Sequence, residues 1–386
     1  KAEAKPSTGK RISVVGGGPS GLTCAYYLAN LGHEVHVYEA ENVAGGVLYW
    51  GIPEYRLPKD VLAKEVKAIE QSGVSIHCNV RVGETISFEA LKSQSDAVYV
   101  AIGTQQSRTL GIPGEDLPGV ENGLIFLKRI GLKQNFTVPE RLIVIGGGST
   151  AMDVARTAVR LGSKEVTVVY RRTEREMPAG AEEIQEAREE GIRIITLASP
   201  VRIMERGGAV CGIELVKRQL TDYGSDGRRR SAHIEGSEFV LECDGIITAI
   251  NQDVDHKFHQ TTQLDFDGKG RIDVHQFTSR TSEEGVFAGG DTSPWGANVA
   301  VNAIADGKKA AVNIDKYLGG SGELNMGEWM EIPVIPDMEV TEPHMRFPVR
   351  TLPVDERIDN FKEVACGFHK LDAIGEAFRC LHCDRR

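Results

Sequence analysis

Two stretches about 130 residues apart carry the same succession of apolar and polar positions. The first, "RISVVGGGPSGLTCAYYLANLGHEVHVYEA", runs from Arg11 to Ala40, and the second, "RLIVIGGGSTAMDVARTAVRLGSKEVTVVYRR", from Arg141 to Arg172. Each opens with a continuous apolar run, as a strand buried on both faces of a parallel sheet requires. Each then breaks at glycines and resumes with apolar residues at helical spacing, Leu22, Ala25, Tyr26, Leu28 and Ala29 in the first. Both helices stop near Leu-Gly, and a second apolar strand follows. This is a strand–helix–strand nucleotide unit, used twice.

The remaining pattern fits around these units. A helix is predicted over 60–72, after Pro58 and before Gly73, followed by strands at "VSIHC" and "DAVYVAIGT". "LGIPGEDLPGV" has the Pro/Gly punctuation of a linker, and "AGAEEIQEAREEG" reads as a charged surface helix. "CGIELVKRQL" and "EFVLECDGIITAI" read as strands joined through the polar "YGSDGRRR". "EGVFAGGDTS" is a strand running into glycine, and 297–318 a helix. From Gly319 the chain is proline-rich and reads as an extended arm until "DAIGEAFRCLHCDRR" resumes a helical pattern. The predicted fold class is α/β, with two Rossmann-like dinucleotide-binding domains. The second domain, 120–277, is inserted in the first, 1–119 and 278–320, and an arm over 321–386 ends in a CxxC helix.

In the first unit Gly16, Gly18 and Gly21 make G-x-G-x-x-G. They permit the tight turn, the approach of backbone to a pyrophosphate, and close helix–strand packing. The helix that begins at Pro19 and Ser20 offers unpaired N–H groups to a diphosphate. Glu39 closes the next strand, where a carboxylate accepts from ribose hydroxyls. The second unit has Gly146, Gly148 and Ala151 in the G-x-G-x-x-A variant. Aligning the two Leu-Gly stops puts Tyr170 where Glu39 stands, followed by Arg171 and Arg172. Loss of the acid removes repulsion of a 2′-phosphate, and the arginines bring fork-shaped donors suited to phosphate, with Arg175 a candidate third contact. The pair therefore points to NADP(H) rather than NAD(H), the bland alternative being a solvated strand end.

Of the 386 residues, 41% are apolar and 26% charged, which supplies a sizeable core. The net charge of −10 argues against nucleic acid as a partner. No run of about 18 apolar residues and no signal-peptide pattern occur, so a soluble, cytoplasmic chain with no membrane partner is expected. The sequence starts at a lysine, which leaves room for an upstream segment. Among seven cysteines only Cys380 and Cys383 form a close pair, and the scattered rest do not read as a disulfide framework.

"GGVLYWGIPEYRLPKDVL", "YVAIGT", "GIPGEDLPGV", "VIGGGSTAMDVARTA", "YRRTEREMPA" and "GVFAGGD" closely resemble the flavoprotein region of the glutamate synthase small (β) subunit. The same region is similar to the NADP-binding subunit of bifurcating ferredoxin:NADP transhydrogenases and to the flavin part of dihydropyrimidine dehydrogenase. The resemblance covers 10–318 and implies a glutathione-reductase type of fold with FAD in the first domain and NADP(H) in the inserted one. By position it implies FAD contacts at Gly18, Ser20, Glu39, Gly46, Val47, Arg56, Val82, Gly103, Gly290, Asp291, Asn298 and Val299. It implies NADP(H) contacts at Gly148, Ser149, Thr150, Arg171, Arg172, Ala249 and Ile250. Arg56 is suited to negative charge on reduced flavin or on phosphate. Where the family usually reads "AIGQ" this chain has Ala249-Ile250-Asn251-Gln252, and Asn tolerates a positive φ better than most residues.

The resemblance further implies an oxidoreductase subunit moving electrons between NADPH and iron–sulfur centres or ferredoxin of a partner, within a hetero-oligomer. Family members commonly carry a cysteine-rich N-terminal domain with two 4Fe–4S clusters, which this sequence does not show. "FKEVACGFHKLDAIGEAFRCLHCDRR" resembles the beginning of that domain but ends after Cys380 and Cys383. Two cysteines cannot complete such a cluster. Three readings stand: an iron–sulfur or other metal site finished by distant or partner ligands, with Cys366, His369 and His382 as extras; a redox dithiol; or a helix that docks on a neighbour. No catalytic side chain is expected, since the chemistry belongs to the cofactors. The rivals are a flavin-bearing docking subunit with a vestigial nicotinamide site, and a thioredoxin-reductase type of disulfide reductase. The latter needs a CxxC beside the flavin, where Cys24 and Cys78 stand isolated.

Overall fold

The computed structural model describes residues 6–224, 227–250, 252–296, 299–324 and 345–379. Strands β1 (Arg11–Val15), β2 (Glu34–Tyr38), β3 (Ser75–His77) and β4 (Ala97–Val100) begin a first sheet. The chain leaves it through the short β5 (Gln106–Ser107) and builds β6 (Val120–Asn122), β7 (Arg141–Ile145), β8 (Glu165–Tyr170) and β9 (Arg193–Thr196) of a second. The long strands β10 (Ala198–Arg206), β11 (Ala209–Tyr223) and β12 (Arg229–Glu242) form a separate antiparallel sheet. β13 (Gly245–Thr248) rejoins the second sheet, β14 (Gln252–Asp253) pairs antiparallel with β5, and β15 (Val286–Ala288) returns to the first. The sheets run β15-β4-β1-β2-β3 and β6-β13-β7-β8-β9, with every neighbouring pair parallel.

The apolar runs do what parallel burial demands. Ile12, Val14, Val35 and Val37 are buried beneath Ala25 and Leu28 of the helix Pro19–Asn30 and Ala310 and Ile314 of the helix Ala300–Tyr317. Cys24 is fully buried on that first helix, whereas Tyr26, counted with its apolar stripe, is only half-buried. The helix Ser149–Arg160 buries Met152, Val154, Ala155 and Ala158 on Leu142, Val144 and Val168 in the same way.

Three expectations shift. Phe258, Leu264, Ile272 and Val274 pack on Val82, Phe88, Leu91, Val98 and Val100, so 254–277 completes the first unit rather than the inserted one. The two crossings between units lie side by side as the β5–β14 ladder, Gln106 opposite Asp253. Those four apolar residues are too widely spaced to show a period, so only the packing reveals them. The charged helix, Ala181–Glu189, is more than a surface element, because Glu190 at its end is buried. The arm also turns back. Its hairpin pairs Arg350–Thr351 with Ala365–Gly367, the Val364 N–H donates to the Tyr55 carbonyl at 2.9 Å, and Arg357 is fully buried. Residues 325–344 of the arm lie outside the described residues.

Candidate cofactor site

The two glycine turns are built alike. A Cβ on Gly16 would sit 2.4 Å from the Ala101 carbonyl oxygen, and one on Gly146 would sit 2.3 Å from that of Ala249. In each unit, therefore, the turn after the first strand touches the end of a neighbouring strand, and only glycine allows it. Gly21 is equally constrained, its absent Cβ lying 2.0 Å from the Gly16 carbonyl oxygen, so it serves helix–strand packing and does not face the cavity. Gly18 and Gly148 cap the following helices in extended conformation, and next to them space opens.

Gly17 meets Glu39, and at the corresponding place Gly147 meets the ring of Tyr170, which bears out the alignment of the two units. Buried Glu39 accepts from the Gly17 N–H at 2.7 Å and the Glu41 N–H at 2.8 Å. Burial pushes its carboxyl up despite those two donors. The carboxylate is thus locked in orientation with lone pairs left over, the chemistry a ribose diol needs. Tyr170 donates to the Glu176 carbonyl at 2.7 Å, which fixes the ring and leaves the strand end to Arg171 and Arg172. Arg171 is exposed, whereas Arg172 is buried to 9% exposure with its Nε unpartnered.

One continuous cavity of about 1880 Å³ joins the two turns. A site for one small ligand is typically 300–1,000 Å³, so the space suits two dinucleotides end to end. Gly16, Gly18, Pro19, Ser20, Glu39, Gly46, Val47, Arg56, Val82, Gly103, Gly290, Asp291 and Val299 line it from the first unit. Gly146, Gly148, Ser149, Thr150, Arg171, Arg172, Ala249 and Ile250 line it from the second. Asn298, Cys380 and Cys383 lie outside the described residues. Among the described residues no cysteine faces the cavity, Cys24 is buried in the first core, and no cluster of three or more His, Cys, Asp or Glu is placed to hold a metal.

Two expected contacts have partners of their own. The Arg56 guanidinium reaches across the units to Asp153 at 2.7 Å and Glu183 at 2.6 Å, so the negative charge it meets is supplied by the protein. Ser149 donates to Glu183 at 2.9 Å, beside the N-terminus of its helix. Burial pushes the Asp153 carboxyl up to about 6, even with Arg56 beside it. Behind this bridge, Arg160 and Arg156 stack on the Tyr55 ring at 4.0 and 4.9 Å and bind Glu190, which Arg357 of the arm also approaches at 3.0 Å. Sequence reading missed Asp153, Glu183 and Glu190. Asp153 stands two residues after Ala151 on an assigned helix and carried the one available signal, a carboxylate on a core face.

The chain's likenesses agree with this geometry. The pyridine nucleotide-disulphide oxidoreductase family matches over 10–307. The chain is 38% identical over 395 aligned positions to the NADP(+)-dependent formate dehydrogenase subunit beta of Moorella thermoacetica, covering 98% of this chain and 55% of that one. It is 35% identical over 327 positions to the glutamate synthase [NADPH] small chain of Escherichia coli, covering 81% of this chain and 69% of that one. The chain thus spans little more than half of the first relative. Mycobacterium tuberculosis FprA in complex with NADPH shares the fold, with a TM-score of 0.69, 22% identity, and coverage of 81% of this chain and 85% of that one.

Proposed function

This chain belongs to the pyridine nucleotide-disulphide oxidoreductase family, alongside the glutamate synthase small chain, and is an NAD(P)H-dependent oxidoreductase; from that premise we propose what it carries and to whom. In this reading FAD lies along the first unit, with its diphosphate on the turn at Gly16–Ser20 and its ribose on Glu39. NADP(H) lies along the second, with its diphosphate at Gly148–Thr150 and its 2′-phosphate at Arg171 and Arg172. When bound, FAD supplies the exchange between hydride transfer and single-electron transfer. The chain's own residues bring the two ring systems together, keep water out and hold each phosphate in place. Electrons then pass to or from iron–sulfur centres or ferredoxin of a partner subunit in a hetero-oligomer.

The carrying observation is that one cavity is lined by both glycine turns, so two cofactors entering from opposite units meet within the protein. No helix among the described residues is long and apolar enough to cross a membrane. The test is anaerobic titration of the FAD-loaded chain with NADPH in the absence of any partner. Bleaching of the visible flavin band by stoichiometric NADPH is expected. A flavin that stays oxidised sinks the proposal.

A further inference from the structure

Among the described residues the buried arginines are paired except Arg172, which shares the cavity wall with half-buried Arg218 and exposed Arg171. Arg156, Arg160 and Arg357 all converge on Glu190. Arg171, Arg172 and Arg218 line the cavity together, and none has an ion-pair partner among the described residues. Arg218 belongs to β11, in the inserted antiparallel sheet, 46 positions beyond Arg172 in sequence. Both neighbouring arginines act on it: burial first, then the charges of Arg171 and Arg172, hold its pKa below the usual arginine value. The buried charge of Arg172 has no acid beside it, which is costly unless an anion completes it, and Arg171 and Arg218 add positive charge at the same place.

The scaffold holds Arg218 in place independently of any ligand. Its Nε donates to Ser231 Oγ at 2.8 Å, Nη1 to Ser199 Oγ at 2.9 Å, and Nη2 to the Ser231 carbonyl. Three of a guanidinium's five N–H groups are thereby used on neutral acceptors, and its charge stays uncompensated. Leu197 sets the spacing to Arg172. It donates to the Arg172 carbonyl at 3.0 Å and accepts from the Arg218 N–H at 2.8 Å. It does so at φ +53°, in a left-handed conformation that a leucine adopts only at a cost and that the surrounding bonds must impose.

We propose that Arg218 is a specificity-determining residue that, with Arg171 and Arg172, encloses the 2′-phosphate of NADP(H) from the side of the antiparallel sheet. The inference rests on the NADP(H) reading above and deepens it. The two arginines at the end of β8 approach the phosphate from the strand that ends under the adenosine. Arg218 approaches from a different sheet, so a dianion is held by forks from two directions, and a ribose with a free 2′-hydroxyl leaves all three cations unmatched.

The test compares NADPH and NADH binding to the FAD-loaded chain, with R218A, R218K, R171A and R172A beside wild type. The expected result for R218A is a loss of roughly 10- to 100-fold in NADPH affinity, the range of one charge-assisted hydrogen-bonding partner, with NADH affinity within about twofold. R218K should restore part of the discrimination, because charge returns without the fork. Parallel loss of NADPH and NADH affinity in both R218A and R218K would mean a purely structural role and overturns the inference. So does retained NADPH preference in R218A while R172A loses it. A wild-type chain that does not prefer NADPH, or preference unmoved in R171A and R172A, refutes the NADP(H) reading itself and is thereby told apart from failure of the Arg218 assignment.

Discussion

Glu39 concentrates several demands on one side chain. It is buried, it is the acceptor for two backbone N–H groups, and it faces the cavity. Glu39→Ala orphans the Gly17 and Glu41 N–H groups and removes the ribose acceptor, with an expected cost of about 1–3 kcal/mol in FAD binding. Flavin content after purification and the dissociation constant on reconstitution measure it, and unchanged affinity would show that the ribose lies elsewhere. Glu39 was legible in the sequence because its chemistry is local. A glycine turn, one helix and one strand fix its distance from the turn, and Gly17 does touch it. Arg218 was not legible, because its nearness to Arg171 and Arg172 is set by the meeting of two sheets and by the carbonyl and N–H of Leu197, which no spacing along the chain encodes. Arg56 falls between these cases. Its place in the cavity follows from the motif, but its two carboxylate partners lie 97 and 127 positions further on.

At the scale of elements, the glycine turns and continuously apolar strands announced both parallel sheets, while the arm and the charged helix were misjudged for one shared reason. Beyond the few apolar residues they bury, Ile184 and Ala187 in the helix and Val364 in the arm, both close on a polar junction that apolar periodicity does not announce. Glu190 has no exposed side-chain area and is met by Arg156, Arg160 and Arg357 from two separate elements. Burial works to raise its carboxyl, but hydrogen bonds from Arg160 and Arg156 outweigh it and hold the group below the ordinary carboxylate range. The stability this contributes is present above that range and lost as pH falls through the folded value. Glu190→Ala leaves buried Arg160 facing no carboxylate and cuts Arg156 back to Glu186 and Arg357 to Glu189, and is expected to cost about 3–5 kcal/mol. Arg357→Ala should cost clearly less, because Glu190 keeps two partners. Thermal melts of both variants and of the double mutant check the ranking: if Arg357→Ala is the more damaging, the arm is anchored chiefly by something else, such as the Val364–Tyr55 bond. Wild type should also lose part of its margin below about pH 4, and Glu190→Ala should show less of that acid sensitivity.

For the whole molecule, the governing question is how two nucleotide units joined by two short crossings keep a fixed orientation. Arg56 answers part of it, since it stands in the first unit and binds Asp153 and Glu183 of the second at the wall of the shared cavity. Asp153 titrates within reach of ordinary assays because burial raises its carboxyl to about 6. Two consequences of opposite sign follow. In an unfolded chain the group loses its proton near the ordinary aspartate value, so between about pH 4 and 6 the folded protein holds more protons than the unfolded one. Protonation therefore raises the stability contribution of this site as pH falls through 6, and the contribution is lost as pH rises through it. The same protonation weakens one of the two bonds by which Arg56 spans the units, so alignment of nicotinamide over flavin should loosen. The rate of flavin reduction by saturating NADPH, followed by stopped flow, should accordingly fall below an apparent pKa of about 6 in wild type. Asp153→Asn, permanently neutral there, should start at the lower rate and lose that inflection. A variant that keeps both the wild-type rate and the inflection would show that the Arg56 bridge does not govern how the two cofactor units face each other.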